Sequence, residues 1–191
     1  MLLTPKTKFM IYTFNKFDNI SDEMYDHLYS LLPKSRKGIA AKRTGLNKKI
    51  AIIEYFIVKN ALNLSDDCDF QYDKNGKPFI IGYNFSISHS NNQLCVAVQE
   101  YPVGVDIEKK LSFNSSLLNY VLNSKEKRMV ENSNDPEETF TKLWVQKEAT
   151  IKCLGLSLAT PLPSLLDEHA SLKYKFYKKD DFYICECIKE N

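Results

Sequence analysis

The order of apolar and polar residues divides this chain into short alternating runs and longer runs of helical period. Residues 9–14 alternate as a strand does, with neighbouring side chains on opposite faces. Ser21, followed by Asp22 and Glu23, predicts a helix start and puts Met24, Leu28 and Leu31 on one face. A second helix is expected over about 47–62, where Ile50, Ile53, Ile57 and Ala61 recur at helical spacing and Lys48, Lys49 and Lys59 fall outside that stripe. Residues 68–100 read as β-structure punctuated by Asn75-Gly76 and Gly82, with strands near 79–81, 84–88 and 94–99. A turn at Glu100-Tyr101-Pro102 leads into a strand over 103–108, and helices are expected at about 114–122 and 124–130. The best-marked helix spans about 136–154: Asp135 caps it, Pro136 suits its first position, Glu138 follows three residues after the cap, and Gly155 ends it. Two alternating runs, 172–177 and 182–188, joined by Lys178-Lys179-Asp180-Asp181, predict a closing hairpin. Helices and strands do not alternate regularly, and no repeat stands out, so the expected class is α+β rather than a doubly wound parallel sheet.

Composition alters this picture little. With 191 residues, 43% hydrophobic and 26% charged, the chain suits an ordinary globular protein of one domain or two small halves packed together. The apolar start is broken by Pro5, Lys6 and Lys8, and a cytoplasmic protein without a signal peptide is expected. Five cysteines, Cys68, Cys95, Cys153, Cys185 and Cys187, lie mostly in apolar stretches and predict reduced, buried thiols. Cys185 and Cys187 lack the spacing and partners of a zinc site.

The net charge of +2 conceals an asymmetry: no Asp or Glu falls between Asp26 and Glu54, while Lys34, Arg36, Lys37, Lys42, Arg43, Lys48 and Lys49 do. That stretch is either a solvated basic loop and helix face or a surface for a polyanionic ligand or acidic partner.

Three further groups bear on chemistry. In Val103-Gly104-Val105-Asp106-Ile107-Glu108, alternation sends Gly104, Asp106 and Glu108 to one face, so two carboxylates point the same way beside a residue that leaves room. They suit a hard cation with oxygen ligands, or they line the wet face of an edge strand. Trp144, Glu148 and Lys152 recur at every fourth position of one helix. They form a surface pair of charges, or a carboxylate and an ammonium held against a partly covered face for a metal or a phosphate. His89 ends Phe85-Ser86-Ile87-Ser88-His89-Ser90 among hydroxyls, as a structural group or as a phosphate contact.

In order and separation, Gly76-Lys77-Pro78, then 85–90, 103–108 and 144–152 resemble the motif series of the 4'-phosphopantetheinyl transferase family, in its larger, surfactin-synthetase-activating type. The likeness is specific from Gly76 to about Pro163 and looser before it. It implies a pseudo-dimer of two similar α+β halves, 1–101 with contacts to coenzyme A phosphates and 102–191 with the magnesium-binding and catalytic residues. By the same resemblance Asp106, Glu108 and Glu148 would hold Mg2+. Lys152 would face the phosphates, with Glu148 as a base for the attacking serine. Lys77, Ser88 and His89 would contact coenzyme A, joined from the basic stretch by Arg36, Lys37 and Lys49. The implied reaction moves phosphopantetheine from coenzyme A to a serine of an apo acyl, peptidyl or aryl carrier protein, by a monomer. Against the larger members of the family the chain stops early, soon after Ile188. A magnesium-dependent phosphohydrolase or nuclease uses the same ingredients with water as nucleophile. A nucleic-acid-binding domain is disfavoured by basic residues without interleaved aromatics, and an inactive relative by the intact carboxylates and Lys152.

Overall fold

The computed structural model describes residues 10–66, 68–157 and 159–190. Phe9, with which the first expected strand begins, and the broken apolar start lie outside these residues. The first half runs β1 (Met10–Phe14), a single 3-10 turn at Phe17–Asn19, α1 (Asp22–Leu31), α2 (Lys34–Ala41), α3 (Gly45–Ala61), β2 (Gln71–Tyr72), β3 (Pro78–Phe79), β4 (Asn84–Ser90) and β5 (Gln93–Gln99). The second runs β6 (Val103–Lys109), α4 (Ser115–Val121), α5 (Ser124–Glu131), α6 (Pro136–Leu154), α7 (Leu165–Glu168), β7 (Lys173–Lys179) and β8 (Phe182–Ile188). This is a mixed α+β architecture.

Each half carries a three-stranded antiparallel sheet and a long helix laid on it. In the first, β5 lies between β1 and β4, and α3 packs on β5. In the second, β8 lies between β6 and β7, and α6 crosses β6 and β8. Val103, Val105 and Ile107 of β6 enter a core shared with Cys95 and Ala97 of β5 and with Ile184 and Ile188 of β8. The two sheets are thus joined by one body of buried apolar surface, the dominant stabilising term in such an arrangement. Cys95, Cys153, Cys185 and Cys187 are buried.

Asp135, Pro136 and Gly155 bound α6 as the sequence predicts, while the Glu138 carboxylate turns to Lys142, Tyr183 and Lys178 and the Asp135 N–H to Ser133 Oγ. Asp135 accepts the N–H of Glu138 at 3.0 Å, Pro136 opens the helix, and Gly155 closes it at φ +62°, a backbone conformation that costs glycine little. Two expectations are corrected. On α1, Met24 and Leu31 are exposed and Tyr25 is the buried residue; its hydroxyl donates to the Phe17 carbonyl at 3.0 Å, so the inward face is centred on Tyr25 with Leu28 beside it. The basic stretch is largely helical, with α2 as a separate helix that charge pattern alone did not delimit. Pro33 precedes its first turn, and burial of Arg36 locks it to α3. The four-residue α7 was not foreseen.

Candidate active site

Three elements far apart in sequence meet at the seam between the halves. Serines of β4 alternate toward β6: Ser86 accepts the Val105 N–H at 3.0 Å, Ser88 donates to Asp106 Oδ1 at 2.7 Å, and Ser90 donates to Glu108 Oε2 at 2.6 Å. From the third element, α6, Lys152 Nζ reaches Asp106 Oδ1 at 2.7 Å and Ser88 Oγ at 2.8 Å. Asp106 is only 3% exposed, so the acidic strand is not the wet face of an edge.

Gly104 makes this approach possible. A Cβ at that position would lie 1.9 Å from the Ala149 carbonyl oxygen and 2.3 Å from the Cys153 nitrogen. Any side chain there would drive α6 off β6, and with it Glu148 and Lys152 away from Asp106.

The electrostatics are those of crowded carboxylates around one ammonium group. Burial first, then the Asp106 charge, pushes Glu148 above the usual carboxylate range, with Lys152 pulling it back. Glu108 is raised likewise by burial, with the Ser90 hydrogen bond opposing and the charges of Asp106 and Glu148 adding. Asp106 Oδ2 is buried without a hydrogen-bond partner, an arrangement that costs free energy unless another group completes it. Oxygen donors of this kind suit a hard divalent cation. As the side chains stand, no three His, Cys, Asp or Glu residues among those described converge into a metal cage. The cation among these carboxylates is Lys152.

Beside this cluster opens a cleft of about 240 Å³, lined on one side by Asn75, Gly76, Lys77 and Pro78 and on the other by Ile151, Lys152, Gly155 and Leu156. His89 is exposed. Partial loss of water lowers its pKa first; Arg43 and Lys152 lower it further, against Glu54 and Asp106.

The remaining expected contacts fall elsewhere. Arg36 is 2% exposed and is spent inside the first half on Glu54, the Ala51 carbonyl and the Tyr72 hydroxyl, with Phe70 under its guanidinium. It is a core residue and not a free phosphate ligand. Lys49 faces α1, 3.6 Å from Asp22 and over the Tyr25 ring. Lys37 is half-buried and has no acidic partner among the described residues. Lys77 does not offer its ammonium group to the cleft: Nζ donates to the carbonyls of Val103, at 3.3 Å, and Lys152. Sequence reasoning also passed over Arg43 among its site residues, although its charge reaches His89; the signal was only its place in the basic run.

Crowded carboxylates, one lysine and a cleft beside them are the equipment of an enzyme that handles phosphoryl groups. Residues 102–189 match the family model of the 4'-phosphopantetheinyl transferase superfamily. It is 25% identical over 194 residues to the 4'-phosphopantetheinyl transferase gsp of Aneurinibacillus migulanus, covering 89% of this chain and 78% of that protein. It is 28% identical over 136 residues to the 4'-phosphopantetheinyl transferase Sfp of Bacillus subtilis strain 168, covering 61% of each. A further Bacillus subtilis 4'-phosphopantetheinyl transferase is 31% identical over 114 residues, covering 54% of this chain and 51% of that one. The chain thus spans about half to three-fifths of these last two relatives.

Proposed function

We propose that this protein transfers the 4'-phosphopantetheine arm of coenzyme A to a serine hydroxyl of an apo carrier protein, releasing adenosine 3',5'-bisphosphate. The observation that carries this is the meeting of Ser88, Asp106 and Lys152 beside the cleft. Phosphoryl transfer depends chiefly on positioning and on neutralising developing charge.

The diphosphate of coenzyme A lies toward Lys152, whose ammonium group stabilises charge on the leaving phosphate. Ser88 orients that ammonium and Asp106 together. His89 and Arg43, whose charges act on each other, meet the remaining phosphate with Lys37, and the 75–78 loop, which lines the cleft, borders the nucleoside end. Asp106, Glu108 and Glu148 would hold Mg2+, which when bound supplies charge neutralisation at the diphosphate. The unpartnered Asp106 Oδ2 and the raised carboxyls of Glu108 and Glu148 support that assignment. Glu148 takes the serine proton, directly or through a water.

The two sheet-and-helix halves, 1–101 and 102–191, correspond to a pseudo-dimer that builds its site within one monomer. Acidic carrier surfaces are drawn to the basic run. No helix among the described residues is long and apolar enough to cross a membrane, and the buried Cys95, Cys153, Cys185 and Cys187 suit work in the cytoplasm.

The test is intact mass spectrometry of several apo carrier proteins incubated with the protein, coenzyme A and Mg2+. One added phosphopantetheine, lost with chelator and with Glu148→Ala, is expected. Cleavage of coenzyme A without any carrier modification would move the protein to the hydrolase class instead.

A further inference from the structure

We infer that Lys77 is a positioning residue for the transfer reaction: reaching across from the first half, its ammonium group ties the end of α6 to the start of β6 and so fixes Lys152 against Asp106. The inference rests on the proposed transferase reading.

Lys77 Nζ donates to the Lys152 carbonyl, in the last turn of α6, and to the Val103 carbonyl at 3.3 Å, the first residue of β6. The last carbonyls of a helix have no partners within it and carry the negative end of its dipole, so a cation there satisfies both. Asn75 Nδ2 joins from the same loop, donating to the Gly155 carbonyl at 2.9 Å. The loop itself is held by Asp73, which accepts the N–H groups of Asn75 at 2.8 Å and Lys77 at 2.9 Å. Gly76 supplies the left-handed turn at φ +83°.

Lys152 is therefore gripped twice, by Lys77 at its backbone carbonyl and by Asp106 and Ser88 at its ammonium. Val103 stands three residues before Asp106 on the same strand. One side chain from the first half thus sets the spacing between the two catalytic elements of the second. An ammonium group has three N–H donors, and here two are directed to carbonyls in a partly buried place. Burial lowers the pKa of Lys77, the field of Lys152 adding in the same direction. A group so placed acts on coenzyme A through Lys152 and not on a phosphate.

The test compares the full-length protein with Lys77→Met, using coenzyme A and 3'-dephospho-coenzyme A on a carrier that the unaltered protein modifies. Hydrogen exchange over 151–156 is measured in parallel. Expected are a kcat at least tenfold lower by the same factor for both substrates, a KM for coenzyme A within about threefold of the original, and faster exchange at the end of α6. A KM that rises for coenzyme A only, with kcat unchanged, would make Lys77 a contact to the 3'-phosphate and overturn the inference. Unaltered exchange with full kcat would overturn it too. If Lys77→Met does not fold, Asn75→Ala, which removes the exposed donor to the same helix end, is expected to speed exchange at 155–156 and to lower kcat about twofold; no change in either would sink the idea. The exchange arm needs no turnover. An inactive unaltered protein whose α6 loosens in Lys77→Met would therefore count against the transferase reading and not against the clamp.

Discussion

Lys152 and Arg36 are both cations of the expected site, and burial separates their roles. Lys152 is half-buried beside the cleft and shares Asp106 with Ser88. Lys152→Met is expected to lower kcat by about two to three orders of magnitude, the range for losing one preorganised electrostatic group, with thermal unfolding measured in parallel to exclude collapse of the fold. Arg36 is enclosed with Glu54, both nearly without water. Removing one partner of such a pair leaves an uncompensated charge. Glu54→Ala is accordingly expected to cost about 3 to 5 kcal/mol in urea unfolding. The residue types of both sites were legible in the sequence. Which cation faced the cleft was not, because a basic run carries no mark of which side chain its neighbours will enclose.

For single elements, the sequence was most informative where the determinants are local. The limits of α6 are set by Asp135, Pro136 and Gly155, all within one turn of the ends they govern. The alternation of 103–108 likewise assigns faces correctly, since a strand has only two. Gly104 belongs to this scale. Gly104→Ala is expected to abolish measurable transfer and to destabilise the fold by at least about 1 to 3 kcal/mol, as overpacking does; denaturant midpoint and activity check both. The outer end of α6 provides a titration. Glu138 receives Lys142 at 2.7 Å, the Tyr183 hydroxyl at 2.7 Å and Lys178 at 3.2 Å, and these hold its carboxyl down to about 2. Because the folded value lies below the unfolded 4.5, the stability this group contributes is complete above 4.5 and fades as pH falls toward 2. Carboxyl NMR is expected to follow Glu138 through that window, and Glu138→Gln to flatten the acid limb of the stability curve.

For the whole molecule, the proposed site draws on both halves. Asp106, Glu108 and Lys152 come from the second, and they meet Ser88 and Ser90 from the first, whose Lys77 donates to the Lys152 and Val103 carbonyls. Gln99 of β5 donates to Glu186 of β8, two buried groups on opposite sides of the seam. Among the described residues, Gln99→Ala leaves that carboxylate with the Tyr177 hydroxyl at 3.5 Å, and it is expected to cost about 1 to 3 kcal/mol, read from thermal or urea unfolding.

The sequence by itself determined the helices and strands whose signals lie within a few residues, the α+β class, and the donor types of the site, because capping, alternation and side-chain chemistry are properties of neighbours along the chain. Only the tertiary structure decided that Arg36 is enclosed, that Lys77 binds carbonyls rather than facing the cleft, that Tyr25 and not Met24 turns inward, and that the serines of β4 meet the carboxylates of β6. Each of these depends on segments 8 to 75 residues apart being brought together, and burial, which sets the cost of every unpaired charge, exists only once they are.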